Sequence, residues 1–465
     1  MQLGSEDRRP RRAVPLLVIL LVVGSLGLGG LALWRVGPPP AIDIRPERPA
    51  IGKKTPISIA VREPTRGLGT VTVELVQGDA VHKLAEQTFA PRVFWKFWGP
   101  RTAETTLRVE PGRDSLPDLR SGDAIVRVTA TRASTWFKHP GPVVVEKKLA
   151  VRLQPPTLQV MSNRTYVAQG GSEAVVYRVG DGAEKDGVRA GNWFFRGFPL
   201  PGGDAHVHFA LFAVPYDLAD ASGVRLVAED DAGNEGQTTF IEQFTPKPFG
   251  TDTIKLEDAF LARVVPAIMS ETPSLKDLGN PLDNYLQING ALRKANNQTL
   301  RELAATSRPE FLWRETFLPL PNGQVMSHFA DRRTYEYQGK AVDHQDHLGF
   351  DLASVQHAPV PAGNRGVVVL ARFHGIYGNT VVIDHGFGLM SLYAHLSSIA
   401  VSEGQTVERG TIVGASGATG LAGGDHLHYT TLLQGLPVNP VEWWDAHWIQ
   451  DRLKTKLGAA LPFGQ

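Results

Sequence analysis

The chain of 465 residues contains no cysteine. That excludes disulfides and thiolate metal sites in one stroke, so any metal here is held by His, Asp or Glu. Charge of one sign is not in excess either, the net being +1. Nothing in that balance calls for nucleic acid or an acidic partner. There is no HExxH stretch, and a mechanism built on a helical glutamate base therefore has no support. The glycine-rich run GASGATGLAGG (414–424) is not followed by the Lys and Ser/Thr of a phosphate-binding loop. Its glycines read instead as hairpin turns and as a thin wall beside a groove.

What the chain does have begins with one long apolar run, AVPLLVILLVVGSLGLGGLALW (13–34), without a charge. At about 1.5 Å per residue it reaches roughly 33 Å as a helix, enough for the hydrocarbon core of a bilayer. The basic stretch Arg8 to Arg12 places the N-terminal side in the cytoplasm, with Trp34 and Arg35 at the far interface. A cleaved signal peptide normally has a shorter apolar core. The reading is a retained single-pass anchor in the cell inner membrane, with everything after about residue 36 in the periplasm or extracytoplasmic space.

The length suggests two to four domains. The proline-rich 36–52 reads as a stiff spacer. Alternating runs such as TVTVELVQ, GDAIVRVTATRAS and VVVEKKLAVRL, then EAVVYRVGD, GNWFFRGFPL and AHVHFALFAVPYD, predict half-exposed antiparallel strands in two sandwiches. The hairpin-like AEDDAGNEG adds an immunoglobulin-like flavour, which assigns no function. From 251 the spacing turns helical, with Leu256, Phe260, Leu261, Val264 and Val265, then Leu282, Tyr285, Leu286, Ile288, Leu292, Leu300 and Leu303. These helices read as packing elements or a connector, with a regulatory flap over the groove as the alternative. From about 311 the strands return.

That last block carries the chemistry. GGDHLHY (423–429) puts His426 and His428 one residue apart, on one face if the segment is a strand. Spacing alone decides little, because His206 and His208 repeat it in a run with no acidic or histidine cluster near it, read as a plain strand face. In DHQDHLGFDLAS, His347 and Asp351 are four apart and share a face in extended chain, with Gly349 leaving room between them. His, Asp and His suit zinc, and three protein ligands leave an open position. A shifted register through His344 lacks an acid four residues on, since position 348 is Leu. His357, His374 and His385 read as surface or turn histidines, and Trp443 and Trp444 as core or groove-edge aromatics.

The order His-x-Gly-x-Asp, then LYAHLS, then His-x-His resembles the zinc endopeptidases of the lysostaphin and LytM type, which cut peptide cross-bridges of bacterial cell walls. The likeness extends over about 130 residues, from FLPLPNGQVMSHFADRRTYEY to VNPVEWW. It implies a duplicated hybrid motif fold, one Zn2+ per chain held by His347, Asp351 and His428, and a catalytic pair of His395 and His426. It implies further that the substrate is the peptide cross-links of peptidoglycan, either glycine bridges or the D-alanine to diamino-acid link. A catalytically silent wall-binding protein, or an activator of another cell-wall hydrolase, is the alternative.

The fold class expected is therefore mainly β. It comprises a cytoplasmic basic tail (1–12), a transmembrane helix (13–34), two β-sandwich, immunoglobulin-like domains (41–155 and 156–245), a helical connector (251–310), a C-terminal antiparallel β-sheet metallopeptidase domain (311–445) and a C-terminal tail (446–465).

Overall fold

The structure is a computed structural model that describes residues 13–34, 38–90, 100–135 and 138–463. The basic run Arg8 to Arg12 and Arg35 lie outside the described residues. A helix runs over Ala13–Trp34. Among the described residues, no helix is long and apolar enough to cross a membrane; within this one, side chains are described only from 16 to 30, and these are exposed.

The chain is mainly β and divides into two compact units, one reaching residue 155 and including 229–234, the other covering 156–228 and 235–465. In the first, a sheet of Ala41–Pro46, Ile57–Arg62 and Glu104–Val109 meets a five-stranded sheet of Ala50–Ile51, Val143–Val151, Gly122–Arg132, Leu68–Gln77 and Ala80–Thr88. Alternation explains the core, because Ile57, Ile59 and Val61 of one sheet and Val71, Val73, Val126 and Val128 of the other are all buried in one cluster. The spacer is shorter than the proline content suggests. Ala41 to Pro46 pair with Arg62 to Ile57, since prolines at 46 and 49 stand at the end of the strand and beyond it, where no ladder donor is needed.

In the second unit two four-stranded sheets enclose Tyr177, Phe195, Phe209 and Phe212. This core does not stop at residue 245. It continues through Trp313, Phe317, Phe387 and Trp443 into Ile449, Leu453, Leu457 and Leu461. Of residues 446–465, expected as a tail, those described (446–463) thus form short helical turns packed on the second sandwich, with Lys456 Nζ 2.8 Å from the buried Glu173 carboxylate. Their apolar residues at steps of four form one stripe, which water would leave exposed in a free tail.

The C-terminal sheet is antiparallel, in the order Gln324–Ser327, Phe350–Ala353, Leu427–Leu433, Leu389–Leu396, Asn379–Gly386, Gly366–Phe373 and Thr406–Val407, with Leu436–Val438 beside Leu427–Leu433. Its central strands are buried on both faces. One face, with Val381, Ile383, Tyr393, Leu427 and Tyr429, forms a core of its own. The opposite face, with Val382, Met390, Leu392, Ala394 and Leu432, packs against helices Asp258–Glu271 and Pro281–Ala305 through Leu261, Val265, Ile268, Ile288 and Leu300. His428 shares the parity of Leu432, so the helices cover the same face of the sheet that carries it.

Two details of 251–310 differ from the helical expectation. Thr251–Leu256 is a strand, paired in parallel with Asp331–Tyr337, and Thr253 to Leu256 alternate polar and apolar residues as a half-buried strand does. The helix Pro281–Ala305 is interrupted by a π turn at Ile288–Leu292. Its start is as the sequence chemistry requires: Pro281 in the first turn, with the Asn280 side chain accepting from Asp283 N–H.

Candidate metal centre

His347 ends the strand Lys340–His347, and Asp351 lies in the next strand, Phe350–Ala353. The two do not share one extended strand, as expected from their spacing; the chain turns a corner at Leu348 and Gly349 and changes sheet. Asp351 stands directly opposite His428 in the strand register. A β-carbon on Gly349 would sit 2.6 Å from His428 Cε1, His428 Nε2 and Thr430 Oγ1. The space at 349 is thus needed by His428 rather than by the two residues flanking it.

His347 Nε2 lies 2.9 Å from Asp351 Oδ1 and 3.0 Å from His428 Nδ1, and His428 Nδ1 lies 2.9 Å from the same carboxylate oxygen. The outer sides of both rings are occupied. His347 Nδ1–H donates to the His328 carbonyl at 2.9 Å. Thr430 Oγ1 donates to the Leu348 carbonyl and so accepts from His428 Nε2–H at 3.0 Å. Tautomers follow from these partners. The inner sides are then three lone-pair donors crowded together, an arrangement that needs a cation or extra protons between them. Burial disfavours the protons on His428, lowering its pKa to about 4. Burial would raise Asp351, but the facing imidazoles of His347, His426 and His428 hold its carboxyl well below the ordinary range.

Ligand atoms about 2.0 to 2.1 Å from a tetrahedral zinc stand roughly 3.3 Å apart, close to the separations here. Two nitrogens and one carboxylate oxygen, buried and deprotonated, are a donor set that fits zinc. The other carboxylate oxygen of Asp351 accepts from Arg333 Nη2 at 2.9 Å.

His395 and His426 stand beside this cluster. Ring centroids are 4.9 Å apart for His395 and His426, and 5.7 Å for His395 and His428. His395 Nδ1–H donates to Thr419 O and His426 Nδ1–H to Gly424 O, both at 2.8 Å, which leaves each Nε2 with a lone pair. His426 Nε2 is 3.6 Å from Asp351 Oδ1. Burial, with His426 and His428 nearby, pushes His395 well below the usual imidazole range. Burial also works against a charge on His426, yet Asp351 raises it overall. His395 adopts φ +62°, a left-handed conformation rare for a non-glycine residue and common where a side chain is held for a task.

All five residues singled out from the sequence therefore meet in one place, and the control pair does not. His208 faces Asp186 at 2.9 Å, whereas His206 lies near Asp181. His344 hydrogen-bonds Thr334 and is not in the metal-capable group. Two histidines read as surface or turn residues are buried. His374 stacks on Tyr377 beneath the helices, and His385 bridges Arg365 O and Ser391 Oγ. Burial lowers His385 to about 4, which makes it a neutral structural link. His357 is exposed, as expected, while Trp443 is core and Trp444 packs on Phe350 and Tyr429.

Arg333, Thr430 and the His328 carbonyl were not singled out. Thr430 had a signal, the same two-residue step that links His426 and His428; a backbone carbonyl has none. A cavity of about 370 Å³ opens at the cluster, lined by His347, His395 and His428 and, from the helices, by Phe260, Tyr285 and Arg293.

Residues 345–440 match Peptidase family M23. The peptidoglycan DD-endopeptidase ShyA of Vibrio cholerae is 34% identical over 175 residues, 37% of this chain and 38% of that protein. The DD-carboxypeptidase/endopeptidase Mpg of Neisseria meningitidis is 45% identical over 95 residues, 20% of this chain and 22% of that one. A crystal structure of a Pseudomonas aeruginosa M23 peptidase is 22% identical, covering 61% of this chain and 96% of its own at a TM-score of 0.37, too loose a likeness to argue from. The chain spans only 38% and 22% of the lengths of the two curated relatives. The stretch 345–440, which holds His347, Asp351, His395, His426 and His428, is therefore a Peptidase M23 domain.

Proposed function

We propose that this chain is a zinc-dependent endopeptidase that hydrolyses peptide cross-links of bacterial peptidoglycan, held to the inner membrane by residues 13–34 with its catalytic domain in the periplasm or extracytoplasmic space. The observation that carries the activity is the convergence of His347 Nε2, Asp351 Oδ1 and His428 Nδ1 within 3.0 Å of one another, each with its lone pair turned inward. The relatives' names, peptidoglycan DD-endopeptidase and DD-carboxypeptidase/endopeptidase, support the substrate class. The anchor rests on the 22 charge-free residues that form one helix behind a basic stretch.

His347, Asp351 and His428 would hold a zinc ion, which when bound would supply an acidified water and Lewis-acid polarisation of the peptide carbonyl. The remaining work belongs to His395 and His426. Their Nε2 atoms flank the ligands: one, as a free base, accepts the proton of the attacking water and passes it to the leaving amine, and the other, in its protonated form, donates to the developing oxyanion. The helix face and the glycine-rich loop line the same cavity as the pair. Incubation of the full-length chain with intact sacculi, with and without a chelator, is expected to release fragments with new peptide termini only when metal is present. Release that persists under chelation would overturn the metal-dependent reading.

Arg333 holds the ligand carboxylate from behind. Its Nε is buried without a hydrogen-bond partner among the described residues, so Asp351 is its main compensation. Arg333→Met is expected to weaken zinc affinity about 10- to 100-fold with the fold retained. An unchanged zinc dissociation constant, measured by competition with a chromogenic chelator, would remove Arg333 from this role.

A further inference from the structure

Two cavities flank the cluster. The larger, of about 370 Å³, and a smaller one, of about 190 Å³, share His347, His428, Tyr377 and Arg293 in their walls. Arg293 is the first residue of the helix Arg293–Ala305 and lies outside the stretch matched to the peptidase family. It is half-buried, and among the described residues no carboxylate lies within ion-pair distance of it. Arg333, the other guanidinium in the larger cavity, already has Asp351.

Arg293 is also held in place. Its Nε and Nη2 donate to Asn289 Oδ1 at 3.2 and 2.6 Å, and Nε also to Asn289 O at 3.2 Å. Asn289 is fully buried and donates from Nδ2 to Asp343 Oδ2 at 2.7 Å, on the strand that ends in His347. The π turn Ile288–Leu292 contains Asn289. Such turns are uncommon and occur frequently at functional sites, because the widened turn re-aims the side chains around it. Here it joins the metal-bearing strand to Arg293 through one buried amide. One edge of the guanidinium, Nε and Nη2, is taken up by Asn289, which leaves Nη1 available at low entropic cost.

We infer that Arg293 is a specificity residue that binds a carboxylate of the substrate next to the scissile bond; this deepens the peptidoglycan endopeptidase reading and rests on it. A charge-assisted bond to a partly desolvated guanidinium needs an anion, and cross-link chemistry supplies one. In a D-alanine to diamino-acid link, the carbon that bears the scissile nitrogen carries its own carboxylate. A glycine bridge has no such group within its interior. Arg293 therefore selects the first kind of bond over the second.

The test uses two synthetic cross-linked dimers, one with that carboxylate free and one with it as the carboxamide. Their affinities are measured calorimetrically for the zinc-loaded full-length chain carrying His395→Ala to block turnover, with and without Arg293→Ala or Arg293→Lys. The free carboxylate is expected to bind roughly 10- to 100-fold more tightly, with the ratio falling to about one in Arg293→Ala and intermediate in Arg293→Lys. Equal affinities for the two dimers, or a ratio untouched by Arg293→Ala, overturn the inference, as does failure of both to bind. Thermal melts of the variants separate a lost contact from a lost fold. Hydrolysis by the unsubstituted chain reports on the parent reading by itself. Cleavage of both dimers at equal rates sinks only the role of Arg293, and carboxylate-selective binding without any cleavage sinks only the endopeptidase reading.

Discussion

Asp351→Ala is expected to purify with almost no zinc, where the unsubstituted chain carries about one ion, and to lose hydrolysis of sacculi altogether. Asp351 Oδ1 lies 2.9 Å from both His347 Nε2 and His428 Nδ1, so its loss removes the only negative charge among the three ligands. The same change strands the Arg333 guanidinium, and a buried charge left without its partner costs about 3–5 kcal/mol. Asp351→Asn separates the two effects, because an amide oxygen still accepts from Arg333 while the site loses its charge. His428→Ala is expected to match it in metal loss without disturbing Arg333. Metal content by plasma mass spectrometry, beside a thermal melt, reads both. One zinc per chain in either folded variant would refute the ligand assignment.

His395→Ala is expected to keep its zinc and to lower turnover about 10²- to 10⁴-fold, the usual range for removal of a general acid–base group. The ring touches neither Asp351 nor His347 within hydrogen-bond distance; its Nδ1 is fixed by Thr419 O and its Nε2 is free. Position 395 has φ +62°, where alanine is strained and asparagine less so. His395→Asn therefore serves as the better-folded companion. Its melting temperature should stay near that of the unsubstituted chain while turnover falls as far. Equal turnover in both variants and the parent would place the proton acceptor elsewhere.

Much of the candidate site was legible from types and spacing. The absence of cysteine confines metal binding to His, Asp and Glu, and only one region supplies them in a clustered pattern. The two-residue step at His426 and His428 survives folding because Leu427–Leu433 is a regular strand, with His426 just before it bridged to Gly417. The four-residue step from His347 to Asp351 predicts the right neighbours for an incomplete reason. Their meeting depends on a corner between two sheets and on the empty position at Gly349, which local periodicity does not encode.

By itself the sequence determined the mainly β character, since alternation is a local property of each strand, and it pointed to the five residues of the candidate site, through residue types suited to a metal and through the resemblance that the motifs around His395 and His426 carry. Only the tertiary structure decided which lone pairs face one another, because the tautomers of His347 and His395 depend on the carbonyls of His328 and Thr419, brought in from 19 and 24 residues away, and those of His426 and His428 on how the local chain turns Gly424 O and Thr430 Oγ1 toward them. It also decided that the helices of 258–305 line the groove rather than merely connect, and that the last helical turns belong to the core of the second sandwich. An apolar stripe states that a helix must be covered; which surface covers it is settled by long-range packing, where many weak contacts between distant residues act together.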